Sequence, residues 1–146
     1  MEMSQMIKVK YFNEEMPKLE QVKGSDWIDL RASEDINLKA GESCLVPLGF
    51  ACELPEGYEA YVMPRSSSFK KYGFIQTNSV GLIDESYCGN DDQWMLPIYA
   101  VRDVNINKFE RIAQFRIQRK QPTINFIPVE DLENDSRGGF GSTGSK

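Results

Sequence analysis

The chain contains no histidine. That absence removes Ser-His and Cys-His nucleophile pairs and the commonest side-chain base, so acid-base chemistry falls mainly to carboxylates. Cysteine is scarce. Cys44, Cys52 and Cys88 form neither a CxxC pair nor a metal-ligand cluster, and their odd number argues against a disulfide framework. Reduced thiols are therefore expected. No apolar run approaches the ~20 residues needed to cross a bilayer, which argues against a membrane as partner. Met1-Glu2-Met3-Ser4-Gln5-Met6 carries neither a basic region nor an apolar core of signal-peptide length, so the expected location is the cytoplasm. Positive charge is also in short supply, with 17 Lys and Arg against 22 Asp and Glu and a net charge of -5. Such a balance gives no footprint for polymeric nucleic acid and leaves room only for a small basic pocket.

What is present suits one soluble domain. A length of 146 residues allows one well-buried core, and the 40% hydrophobic and 27% charged content is globular. Ile7, Val9 and Tyr11 alternate with Lys8 and Lys10, the period of a half-buried strand. After a polar loop, Trp27 to Ala32 reads as a short strand or site loop. Ile36 and Leu38 precede a turn at Lys39-Ala40-Gly41-Glu42, and Pro47 places the following apolar run at an edge or bulge. Phe50, Cys52 and Leu54, the Pro55-Glu56-Gly57 turn and Tyr58 to Pro64 together predict a hairpin. Residues 64–72 suggest a loop with a helical turn. Trp94 to Val101 reads as a buried strand, and Ala113, Phe115 and Ile117 make one face of another. Ile124, Phe126 and Val129 continue a β-like pattern, followed by a helical turn at Glu130 to Glu133. Many short strands, evenly spaced turns and no long amphipathic helix predict an all-β sandwich or barrel.

Three stretches and one further acid carry chemistry. Asn78-Ser79-Val80-Gly81-Leu82-Ile83-Asp84-Glu85-Ser86-Tyr87-Cys88-Gly89 is an apolar run that ends at an acid with an aromatic three residues on, and it reads as a site hairpin. An ordinary strand and turn, with Asp84 satisfying local backbone groups, is the alternative. Pro64-Arg65-Ser66-Ser67-Ser68 concentrates phosphate-binding groups after an Arg, or forms a solvated turn. Asp29 and Asp84 are hard-oxygen ligands suited to Mg²⁺, directly or through water, or else exposed turn residues. The terminal Arg137-Gly138-Gly139-Phe140-Gly141-Ser142-Thr143-Gly144 can wrap a phosphorylated ligand, although it lacks the GK[ST] of a P-loop and a Gly-rich terminus is more often simply mobile.

In order along the chain, Asp29-Leu30-Arg31-Ala32, Pro64-Arg65-Ser66-Ser67, Gly81-Leu82-Ile83-Asp84 through Tyr87 and Gly89, Arg111-Ile112-Ala113-Gln114, and Arg137-Gly138 through Gly144 resemble the five motifs of the homotrimeric dUTPase family. The resemblance implies a distorted jelly-roll β-barrel over residues 1–133 and a Gly-rich arm over 134–146 that closes over an active site. It further implies a homotrimer with intersubunit sites and Mg²⁺-dependent hydrolysis of dUTP to dUMP and pyrophosphate. That reaction limits uracil entry into DNA and supplies dUMP for thymidylate synthesis.

Residue by residue, the resemblance makes Asp84 the acid that activates water, Tyr87 the aromatic that excludes a ribose 2′-hydroxyl, and Asn78 a uracil contact alongside Gly81 and Ile83. Ser66, Ser67 and Gln114 correspond to phosphate contacts and Arg65 to a basic group near the reacting phosphates. Asp29 would hold Mg²⁺ through water. Arg137 would meet the γ-phosphate, Phe140 would cover the base, and Gly141, Ser142 and Thr143 would enclose the triphosphate. Departures are Trp27 where the family has Gly, Ser68 for a common Gly, a lengthened turn at Asn90 to Gln93, and a shorter spacing from Arg137 to Phe140. Two other readings compete: a dCTP deaminase relative on the same scaffold, and a dUTP-gated binding protein that presents Asn90 to Gln93 or Lys70 and Lys71 to a regulatory partner.

Overall fold

The computed structural model describes residues 4–139; the expectations for Phe140, Gly141, Ser142 and Thr143 lie outside those residues. Alternation becomes structure first in β1 (Lys8–Tyr11), where Val9 and Tyr11 pack on the core and both lysines stay in solvent. There follow β2 (Ile28–Arg31), β3 (Ile36–Leu38), β4 (Ser43–Pro47), β5 (Phe50–Glu53) and β6 (Tyr58–Pro64). After α1 (Ser68–Tyr72) come β7 (Phe74–Gln76), β8 (Gly81–Ile83), β9 (Met95–Ala100), β10 (Val104–Ile106) and β11 (Arg111–Arg119). The helical turn expected near residue 70 is α1. It stops at Gly73, whose φ of 83° is left-handed and whose amide reaches the Phe69 carbonyl.

The strands make an all-β, distorted jelly roll in four hydrogen-bonded groups: β1-β5, β10-β3, β2-β11-β6-β8 and β4-β9-β7. Pro47 does end an edge strand, since β4 pairs only with β9 in its sheet. Two hairpin expectations fail. Pro55-Glu56-Gly57 turns the chain, with the Tyr58 amide bonded to the Pro55 carbonyl, yet β5 pairs with β1 while both edges of β6 are taken by β11 and β8. The opening of the Asn78 stretch likewise crosses between sheets, because β7 pairs with β9 and β8 pairs with β6. A local turn brings two strands near each other, but the available sheet edges decide their partners.

Trp94 is fully buried between Phe50, with ring centroids 4.9 Å apart, and Phe115, at 5.1 Å edge-on. Phe115, Ala113 and Ile112 anchor β11 in this core, and each large side chain so buried contributes about 1.5–3 kcal/mol. Β11 is therefore a rigid central strand flanked by β2 and β6.

The cysteines are free, and burial pushes the Cys52 thiol up to about 12. Among the described residues no helix is long and apolar enough to cross a membrane. Beyond Lys120 the remaining described chain, 121–139, has no regular structure and is exposed throughout. The β pattern at Ile124, Phe126 and Val129 thus forms no strand, since alternation supplies a face but not a pairing partner. Nor do Glu130 to Glu133 form a helical turn: Glu133 sits at φ 58°, outside the right-handed helical region.

Candidate active site

Most of the predicted residues fall into two clusters carried by one sheet, β2-β11-β6-β8. The first lies at the junction of β2, β11 and β6. Register places Gln114 of β11 opposite Asp29 on one side and Met63 on the other. The Gln114 amide donates to the Pro64 carbonyl at 3.1 Å, tying β11 to the Arg65 loop. Asp29 stands between two guanidinium groups, with Oδ1 3.3 Å from Arg65 Nε and Oδ2 3.6 Å from Arg111 Nε. All three side chains remain partly open to solvent, between 31% and 48%. Two guanidiniums against one carboxylate leave a net positive centre, the charge an anionic ligand requires.

The loop that carries Arg65 is held from inside. Ser68, 1% exposed, accepts the Arg65 amide at 3.0 Å and donates to the Ile112 carbonyl at 2.8 Å. This serine ties the Arg65 loop to β11. Ser66 and Ser67 are exposed beside it, and Ser67 precedes α1 without a side-chain capping bond.

The second cluster sits around β8. Gly81 faces Val62 of β6 so closely that a Cβ there would lie 3.1 Å from Val62 Cβ and 3.4 Å from Gln76 Nε2. Ile83 pairs with Ala60 and packs at the edge of the core, whereas Val80 and Leu82 are exposed. Asp84 follows the last β8 residue and is exposed. Its Oδ2 accepts both the backbone amide of Ser86, at 2.8 Å, and the Ser86 hydroxyl. These Ser86 bonds, side chain first and then backbone, hold the carboxyl below the usual range for an aspartate, with a lesser pull from Lys120. Next to it, Glu85 accepts the Gly57 amide at 2.7 Å and pairs with Lys120 at 3.1 Å, so its carboxyl is also held low, mainly by Gly57 and then by Lys120.

Tyr87 is 38% exposed, and its hydroxyl donates to the Gln93 carbonyl at 2.8 Å. The lengthened turn from Asn90 to Gln93 closes on itself through Gly89 N to Asp92 Oδ2, at 2.8 Å. It is tied to the barrel by the Gly49 amide donating to Gln93 Oε1 at 3.0 Å. Asn78 is exposed, and its Oδ1 accepts from Gln76 Nε2 at 2.8 Å. Arg137 lies in the exposed segment after β11.

One chain does not bring these clusters together. Because Ile83 pairs with Ala60, Asp84 falls level with Glu59 at the start of β6, while Arg65 lies beyond its other end. Strand rise over those residues puts about 20 Å between them. A cavity of about 620 Å³ between Ile7, Val9, Leu19, Phe115 and Ile117 contains none of the predicted site residues.

As for a metal, no group of three or more His, Cys, Asp or Glu among the described residues is arranged to hold one. Asp29 is the hard-oxygen donor of the first cluster, and both of its oxygens already face guanidinium groups. That donor set fits an ion carried mainly by ligand phosphates and water, the usual habit of Mg²⁺, rather than a protein cage.

Sequence reasoning missed Gln76, Ser86 and the bracketing role of Arg111. Ser86 was findable, because an Asp-x-Ser sequence is a standard pattern for a carboxylate bonded two residues on. Gln76 carried no local signal.

Comparison with known proteins agrees in kind. A family model described as dUTPase matches residues 12–144. The SPbeta prophage-derived deoxyuridine 5'-triphosphate nucleotidohydrolase of Bacillus subtilis is 56% identical over 140 residues, covering 96% of this chain and 99% of that protein. Among solved structures, a mutant Staphylococcus bacteriophage 80alpha dUTPase with dUpNHpp is similar at a TM-score of 0.78 and 23% identity, over 97% of this chain and all of the other (100%). A mutant dUTPase from phage phi11 of S. aureus, whose structure reveals the coordination of a structural Mg(II) ion, gives a TM-score of 0.74 at 20% identity, over 88% and 99% of the two chains.

Proposed function

We propose that this chain, which belongs to the dUTPase family, hydrolyses dUTP to dUMP and pyrophosphate through a water activated by Asp84. The observation that carries the role of Asp84 is its held carboxylate. Ser86 takes up Oδ2 with two donors, which keeps the group ionised and fixes its direction, while Oδ1 takes neither of those bonds and can accept a proton from water. The water oxygen attacks the α-phosphorus, its proton passes to Asp84 Oδ1, and the bond from the α-phosphorus to the α,β-bridging oxygen breaks, that oxygen leaving with pyrophosphate. A low carboxyl pKa makes Asp84 a weak base, so positioning and charge neutralisation supply most of the acceleration.

Arg65, Ser66, Ser67 and Gln114 bind the triphosphate, at the net positive centre that Arg65 and Arg111 make around Asp29. Asp29 orients the two guanidiniums and would hold Mg²⁺ through water. Mg²⁺, when bound, supplies neutralisation of the triphosphate charge. Tyr87 packs on the deoxyribose and leaves no space for a 2′-hydroxyl, and Asn78, Gly81 and Ile83 receive the base. Arg137, Phe140, Gly141, Ser142 and Thr143 close the site as an arm.

Because Asp84 and Arg65 lie about 20 Å apart along one chain, a second copy is needed to bring them together, and the homotrimer with intersubunit sites is the assembly that does so. The test is direct. Purified protein with dUTP and Mg²⁺ releases pyrophosphate, with UTP and dCTP as poor substrates, and native mass measurement gives three chains. Folded trimer that leaves dUTP intact would overturn the proposal.

A further inference from the structure

We propose that Gln76 is a positioning residue for base selection: it fixes which end of the Asn78 amide faces the ligand, and thereby favours a 4-carbonyl base over a 4-amino base. The inference rests on the reading of Asn78 as a base contact, and it adds the residue that gives that contact its polarity.

The Val62 carbonyl can only accept, and it lies 3.0 Å from the Gln76 side-chain nitrogen. The Gln76 atom facing it must be the NH₂ group, which settles the orientation of that amide. Gln76 is 7% exposed and stands beside Gly81, where a Cβ would lie 3.4 Å from the same nitrogen, so it has little room to turn over. Its second N–H points to Asn78 at 2.8 Å. An NH₂ group has no lone pair to offer, and the Asn78 atom that meets it is therefore the oxygen.

Orientation is thus relayed in two steps, from Val62 through Gln76 to Asn78. With Oδ1 engaged inward, Asn78 offers its Nδ2 protons outward. Those donors match a carbonyl at position 4 of a pyrimidine and oppose an exocyclic amine there, which also donates. The lock matters because Asn78 itself is exposed and would otherwise sample both amide orientations. The turn assists, since the Ser79 amide bonds the Gln76 carbonyl at 3.2 Å and Ser79 adopts φ 59°, bringing residue 78 back over residue 76.

The test compares kcat/KM for dUTP and dCTP in wild type, Gln76→Leu and Asn78→Ala. Leu keeps the shape and burial of Gln76 without its donors. The expected result is a dUTP:dCTP ratio lowered by about tenfold or more in Gln76→Leu, with relative gain for dCTP, and a comparable fall in Asn78→Ala. If Gln76→Leu slows both substrates by the same factor, Gln76 is only structural and the proposal is overturned, while the Asn78 reading stands on the Asn78→Ala ratio. If Asn78→Ala leaves the ratio unchanged, the Asn78 reading falls and the proposal falls with it. As a second measurement, side-chain amide NMR of the folded wild type should show slowly exchanging Gln76 Nε2 protons; rapid exchange of both protons would contradict the relay.

Discussion

Glu85 accepts the Gly57 amide at 2.7 Å, and that bond pins the end of β8 to the beginning of β6. It carries the adjacent Asp84 away from Arg65, which lies past the other end of β6. In the proposed mechanism the two reacting ends therefore come from different copies of the chain.

Complementation follows from that separation. Asp84→Asn and Arg65→Ala homotrimers are each expected to lose most dUTP turnover, and co-expression of the two variants is expected to restore activity, because mixed trimers contain sites with an intact Asp84 from one copy and an intact Arg65 from another. Pyrophosphate release by the purified mixture measures this. A mixture as inactive as its parents would place both residues in one subunit's site.

Asp84→Asn should bind a non-hydrolysable dUTP analogue about as well as wild type yet lose turnover by about 10²–10⁴-fold, the usual contribution of a positioned base. Calorimetric titration paired with a steady-state assay separates the two effects.

The pH profile should report Ser86. The proposed mechanism needs ionised Asp84, whose pKa is lowered by the Ser86 bonds, so turnover should be retained above that pKa and lost as pH falls through it, below the ordinary aspartate value of ~3.9. Ser86→Ala removes the hydroxyl bond, raises the pKa toward the ordinary value and moves the acid limb of kcat/KM upward in pH. An unmoved limb would mean that Asp84 is not the group being titrated.

Asp29→Asn is expected to cost less than ~1 kcal/mol of stability, because both ion pairs are partly solvated. Its effect should appear in catalysis, as a higher Mg²⁺ concentration for half-maximal rate. Denaturant melts and Mg²⁺ titrations of activity distinguish the two.

Ser68→Ala should behave in the opposite way. It leaves the Ile112 carbonyl and the Arg65 amide without their buried partner, a loss of about 1–3 kcal/mol readable in a denaturant melt. The KM for dUTP should rise as the Arg65 loop loosens.

The β class was legible because period-two alternation is a local property, and Lys8 to Tyr11 displays it without help. Asp84, Arg65 and Gln114 were legible as candidates because they recur in ordered motifs. Partner choice was not legible. Nothing in Pro55-Glu56-Gly57 shows that β6 will take β8 and β11 as neighbours while β5 takes β1, and nothing in Ile124, Phe126 and Val129 shows that an alternating run will find no ladder among the described residues. Gln76 is the clearest omission: its meaning depends on the Val62 carbonyl, fourteen residues away in the chain and 3.0 Å away in space.

By itself the sequence determined most of the strand-forming segments, the absence of histidine, and the family motifs that bring Asp84 and Tyr87 into one short stretch. Only the tertiary structure decided that Asp29 stands between Arg65 and Arg111, that Ser68 braces their loop, and that Asp84 lies at the far end of β6. The physical reason is that side-chain type and spacing act locally, whereas hydrogen-bond polarity, charge pairing and sheet order depend on groups brought together by pairing across the fold.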